Sequence, residues 1–183
     1  ALSNADIAFV KGGGIRKQIE AGYITLDDIY SVHPCGNTMC VIRVTGQQVL
    51  DALEWGARAV PSENGGFLQV SGLTYEIHTG VASSAEKDEN GMFTRVSGEY
   101  RVKNVMVGGQ PLELDKTYTL ASHNYMLLGH GDGYTMFDGC EVLGEDMMVD
   151  NQVLITYITT PLGGVVGEQY ANPYGAGRIV AVE

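Results

Sequence analysis

Apolar positions in this chain come in short runs whose spacing switches between every second residue and every third or fourth, and each switch marks an element. Ile7-Ala8-Phe9-Val10 is an apolar run cut off by Gly12-Gly13-Gly14, which predicts a buried strand entering a tight backbone turn. Thr25 and Asp28 have the spacing of a capping pair that opens a short helix through Tyr30, and Pro34 keeps that helix from running far. Met39 to Val44 is rich in β-branched residues and predicts a strand, after which Thr45 and Gln48 form a Thr-x-x-Gln helix start. Val49, Leu50, Leu53 and Ala57 then recur at helical spacing until Pro61 ends the element.

Phe67 to Val70 and Leu73 to Ile77 read as strands broken at Gly72, and Arg101 to Val107 resumes the strand pattern. The polar stretch from Ser83 to Gly91 between them reads as a surface loop. Gly108-Gly109 suits a hairpin turn, and Tyr118 to Ser122 is a further strand leading into Asn124-Tyr125-Met126. Asp150 reads as the cap of a helix through about Thr159, closed by Pro161, and Arg178 to Val182 as a last strand. Strands and helices interleave irregularly, with several hairpins. The expected fold class is therefore α+β, one domain over 1–183 with a mixed β-sheet flanked by helices.

Length agrees with one packed core, since 183 residues do not force a second one. No apolar run approaches the ~18 residues that cross a bilayer, so no transmembrane segment is expected. The chain starts Ala1-Leu2-Ser3-Asn4-Ala5-Asp6, with neither an initiator Met nor a basic region before an apolar core. Processing or a chosen boundary is expected to have removed what came before. A net charge of −11 argues against a nucleic-acid polymer as partner, because such binders gain affinity by neutralising phosphates with Lys and Arg. One small anion held by a local arginine stays compatible with that field. Cys35, Cys40 and Cys140 form no CxxC pair and have no His at zinc-finger spacing, so they are expected to be free thiols.

Two glycine-rich segments carry the chemistry that can be read locally. In Lys11-Gly12-Gly13-Gly14-Ile15-Arg16 the glycines let a backbone approach a ligand and expose N–H groups, while Arg16 brings charge and a planar donor fork. The spacing is not that of a Walker loop. In Asn124 to Tyr134, glycines at alternate positions hold His130 and Asp132 on a tight loop. Asp132 can accept two hydroxyl hydrogen bonds, as from a ribose, and Tyr125 or Tyr134 can offer a stacking face to a base. Taken alone, the first segment reads more readily as a structural turn with a surface arginine, and the second equally as a tight hairpin or a site. His33, His78, His123 and His130 fall in no HxH or HExxH arrangement, no GxSxG elbow is present, and no Cys is flanked as a nucleophile. The residues thus suggest binding, with no catalytic set and no metal site.

In order and separation these segments resemble the C-terminal domain of the 5′-nucleotidase family, over nearly the whole chain. The motifs concerned are Ala5 to Arg16, His33-Pro34-Cys35-Gly36-Asn37-Thr38, Gly66 to Gly72, and Asn124-Tyr125 through Gly131-Asp132-Gly133-Tyr134. The resemblance implies a two-domain enzyme. Its N-terminal metallophosphoesterase domain would hold two divalent metal ions for hydrolysis of a nucleotide phosphate ester, and this domain would grip the nucleoside or nucleotide. It needs no cofactor within this chain, and it implies an extracellular, periplasmic or cell-surface setting. Carried over by position, Arg16 and Asp132 contact the ribose hydroxyls or nearby oxygens, Gly13 and Gly14 line the pocket, and Tyr125 is one wall of a base sandwich. Asn124, Met126 and His130 belong to the same loop. Lys11 stands where the family usually has Asn, Cys35 where it has the second ring, and His130 where it has Gly, which implies a one-sided sandwich. The competing function is a non-catalytic binding or structural module of the same fold. A self-sufficient hydrolase of another class lacks a nucleophile-base pair to rest on.

Overall fold

The computed structural model describes residues 2–172 and 175–183; Ala1, with which the reading of the N-terminus begins, lies outside them. Strand β1, Ile7–Lys11, buries Ile7 and Phe9 and turns Ala8 and Val10 to the opposite face, as the two-residue period of a strand requires. Helix α1, Leu26–Val32, starts on the Thr25–Asp28 capping box. Strand β2, Met39–Thr45, feeds directly into helix α2, Gly46–Ala57, through the Thr45–Gln48 box. Both boxes were legible because the interaction is contained in four consecutive residues.

Strands β3, Leu68–Ser71, and β4, Leu73–His78, follow. Gly72 between them has φ +80°, and a Cβ there would lie 2.0 Å from the Asp6 carbonyl oxygen. The polar stretch after β4 is more ordered than its composition suggests. It carries β5, Ala85–Lys87, paired antiparallel with β6, Phe93–Val96. Phe93 supplies the reason, since it packs edge-on against Trp55 and anchors the hairpin to the core.

The remainder comprises β7, Val102–Val107; β8, Gln110–Pro111; β9, Thr117–His123; the one-turn α3, Asn124–Leu127; β10, Glu141–Gly144; α4, Asp150–Thr159; and β11, Ile179–Val182. Asp150 sits one residue inside its expected cap position. Val149 is the N-cap, and Asp150 Oδ1 accepts the Asn151 N–H at 2.8 Å. The first sheet has the order β10-β2-β9-β1-β3, with β1 and β9 parallel and the other pairs antiparallel. A second sheet, β11-β4-β7-β8, pairs β11 parallel to β4. The mixed α+β architecture expected from the sequence is present, divided into two sheets and a hairpin.

Helix α2 touches β2 and β3 of the first sheet and β7 of the second, so it is buried nearly all round. Val49, Leu53 and Trp55 are each at most 1% exposed. Its buried Glu54 accepts the Val102 N–H at 2.9 Å, and burial pushes that carboxyl above its ordinary range. Among the described residues no helix is long and apolar enough to cross a membrane.

Candidate functional site

Strand β1 delivers Lys11 and the three glycines to one edge of the first sheet. The glycine N–H groups are not all held open for a ligand, as the sequence suggested. Gly12 donates to the Phe67 carbonyl at 2.7 Å and Gly13 to the Gly65 carbonyl at 2.8 Å, which prolongs the β1–β3 ladder past its last paired residues. A Cβ at Gly13 would come within 3.1 Å of the Gly65 oxygen, so the two backbones pack closely here and a larger residue would push Gly65 away by a few tenths of an ångström. Gly14 is buried. Its carbonyl accepts from His33 Nδ1 at 3.1 Å, and the His123 ring lies behind it. Burial holds the His123 imidazole below its ordinary pKa; His33 and Lys11 push the same way, and Asp150 opposes them.

From the end of β1, Lys11 reaches across to the second glycine segment. Its ammonium lies 2.8 Å from Asp132 Oδ2 and 4.7 Å from the centre of the Tyr125 ring. The side chains of Lys11 and Asp132 are 13% and 28% exposed, so the pair is partly shielded from water. Asp132 Oδ2 itself is buried, with the Lys11 ammonium as its ion-pair partner.

The loop that carries Asp132 is held from below. Its φ of 56° and that of His130, 53°, are left-handed, a conformation that costs a non-glycine residue about 1–2 kcal/mol. Trp55 offsets part of that cost by donating its indole N–H to the Asp132 carbonyl at 2.9 Å. Tyr134 adds a bond from its hydroxyl to the Gly66 carbonyl at 2.5 Å. A Cβ at Gly131 would lie 2.0 Å from Cε1 of Tyr125, so the ring rests directly on the loop backbone and would have to swing aside for any larger residue. Arg58 stacks over Trp55 at 3.6 Å, and burial holds its guanidinium below the ordinary range.

Lys11, Tyr125 and Asp132 are thus brought together, with Gly13 and Gly14 next to them in the chain. The other expected residues are placed differently. Arg16 is exposed, its backbone N–H tied to the Val32 carbonyl. Asn124 spends its side-chain oxygen on the N–H groups of Thr38 and Tyr125. Met126 is 1% exposed, turned into the core by the single turn of α3, and offers no wall to a ligand. His130 pairs through Nε2 with Asp138. Tyr134 is fully buried and stacked on Phe137, so of the two tyrosines only Tyr125, 44% exposed, presents a ring. Trp55 and Arg58 were missed; the single tryptophan of the chain, on a helix of strong apolar period, was the available signal.

Cys35 is exposed on the turn after α1, Cys140 is half-buried, and Cys40 is buried with its thiol pushed up to about 11, chiefly by burial. In the native protein a thiol reagent at pH 8 should modify Cys35 first and leave Cys40 untouched until denaturant is added. Mass spectrometry of the labelled peptides reads the order, and a Cys35–Cys140 bridge would contradict it. Apart from this site, a cavity of about 370 Å³ lies between the first sheet and α4, lined by Ala8, Val10, Val153 and Leu154 with His123 and Asp150.

The family model described as "5'-nucleotidase, C-terminal domain" matches residues 1–139. The trifunctional nucleotide phosphoesterase protein YfkN of Bacillus subtilis (strain 168) is 33% identical over 180 residues, 98% of this chain and 11% of that protein. The 5′-nucleotidase of Vibrio vulnificus (strain CMCP6) is 31% identical over 156 residues, 85% of this chain and 24% of that protein. Among solved structures, the 5′-nucleotidase precursor of Thermus thermophilus superposes with a TM-score of 0.80 at 31% identity, covering 99% of this chain and 32% of that one. The chain therefore spans about a tenth to a quarter of these curated relatives.

Proposed function

Since the chain belongs to the 5′-nucleotidase C-terminal domain family, we propose that residues 1–183 form one recognition domain for a nucleoside or nucleotide. The observation that carries this reading is the convergence of Asp132, Lys11 and the Tyr125 ring on one partly exposed edge. A carboxylate oxygen can accept a sugar hydroxyl in a charge-assisted bond, and a fixed ring can stack a base. Glycines on both loops let the backbones come close enough for one small ligand to reach all three.

Hydrolysis of the phosphate ester is assigned to an N-terminal metallophosphoesterase domain, with two divalent metal ions to polarise the phosphoryl oxygen and activate water. Residues of this chain do not fit such a centre. Among the described residues no three His, Cys, Asp or Glu side chains converge as ligands, and His33 and His130 are already engaged by Gly14 and Asp138. What this chain contributes is binding and orientation. Its partners are the small-molecule ligand and that second domain, and its setting is extracellular, periplasmic or at the cell surface. A second reading, a module of the same fold without tight nucleotide recognition, draws on one observation: Lys11 already occupies Oδ2 of Asp132.

The purified chain should release no phosphate from AMP with added Mn²⁺ or Zn²⁺. Metal-dependent release that co-purified with the 183-residue protein would refute the division of labour between the domains.

A further inference from the structure

We infer that the cavity between the first sheet and α4 is a second binding site, for an uncharged molecule with an apolar body and one hydroxyl group. The space of about 370 Å³ has a structural cause. Helix α4 leans on α1 more than on any strand, and the sheet meets it with the small side chains of Ala8 and Ala121, so neither side fills the gap. Val10, Val153 and Leu154 complete an apolar wall. An apolar cavity of about 150 Å³ already takes a benzene ring, and ligand sites commonly run to about 300–1,000 Å³. Leu2 also lines the space and is 37% exposed, which leaves a way in from solvent. Lys11, Tyr125 and Asp132 do not border it, so the site is separate from the nucleoside edge and does not depend on that reading.

One polar side chain on the wall is free to fix the ligand's orientation. His123 is 7% exposed, and among the described residues neither of its ring nitrogens has a hydrogen-bond partner; His33 meets the ring edge-on. Its polar neighbours are engaged elsewhere. The Ser122 hydroxyl donates to the Phe9 carbonyl, Tyr157 bonds to Tyr170, and Asp150 accepts from Asn37 and from the Asn151 N–H. Burial holds the His123 imidazole below its ordinary pKa, so at neutral pH it presents one N–H donor and one acceptor nitrogen, and a hydroxyl can serve either. A ligand carboxylate is disfavoured twice: Asp150, an acidic group, shares the wall, and burying an unpaired charge among apolar side chains is costly.

The test titrates the isotope-labelled chain with benzyl alcohol, toluene and phenylacetate and follows its NMR spectrum. Benzyl alcohol at millimolar concentration should shift the methyl signals of Ala8, Val10, Val153 and Leu154 and the His123 ring saturably, and leave Lys11, Tyr125 and Asp132 in place. Toluene, which lacks the hydroxyl, should bind the same residues about three- to tenfold more weakly, the worth of one hydrogen bond. Phenylacetate should not bind. His123→Phe should bring benzyl alcohol down to the toluene level. Val153→Phe fills the cavity from the helix and Ala8→Leu from the sheet, and whichever of them keeps the native spectrum should abolish binding of both probes. No saturable shift with benzyl alcohol, equal binding of toluene and benzyl alcohol by the wild type, or binding that survives a folded cavity-filling variant would overturn the inference and leave nucleoside recognition untouched.

Discussion

Replacing Trp55 with Ala should destabilise the protein by about 3–5 kcal/mol, the range for truncating a fully buried aromatic side chain. The ring is 1% exposed and packs edge-on against Phe93, with the Arg58 guanidinium stacked over it. Its loss leaves a cavity in α2, the helix that touches both sheets, and relaxation there is limited by packing on every side. Trp55→Phe should cost much less in stability but still remove the hydrogen bond to the Asp132 carbonyl, worth about 1 kcal/mol. Because that bond steadies a left-handed residue, the Phe variant should weaken ligand binding more than its stability loss suggests. Urea denaturation read by circular dichroism decides the first point: the midpoint should fall with little change in slope. A loss under about 1 kcal/mol for Trp55→Ala would show that α2 does not organise the core as described.

Asp132→Asn should weaken nucleoside binding by about 1–3 kcal/mol, since a charged acceptor is replaced by a neutral one and Lys11 loses its counter-ion. Tyr125→Ala should cost a similar amount, about 1–3 kcal/mol, through loss of stacking. Tyr125 is the exposed ring next to Asp132, and buried Tyr134 cannot take over its role. Calorimetry with adenosine on both variants checks these values. A silent Tyr125 change beside a damaging Asp132 change would place the base away from the ring. Silence in both would remove this edge from recognition altogether.

The parts of this fold that could be read from the sequence are those whose causes are local. The Thr25–Asp28 and Thr45–Gln48 boxes each complete a reciprocal interaction within one turn, so spacing alone announces them. The turn at Gly72 and the strands around it were visible for the same reason. The β5–β6 hairpin was not, because much of it is polar and its buried anchor, Phe93, finds Trp55 only in three dimensions. At the site, the family resemblance pointed to Asp132 and Tyr125, but no local rule could pair Lys11 with Asp132, which come from opposite ends of the matched region. Nor could residue type show that Met126 and Tyr134 turn inward while Tyr125 turns out, since a single helical turn has too few residues for a period to appear.

The central claim, that nucleosides are recognised at the edge formed by Lys11, Tyr125 and Asp132, is tested most directly by mapping amide chemical shifts of the labelled chain during titration with adenosine. The largest changes should fall on Lys11 to Gly14, Tyr125 and Gly131 to Gly133, and Asp132→Asn should diminish them together. Shifts confined to the cavity between the first sheet and α4, or no shift at millimolar adenosine, would contradict it.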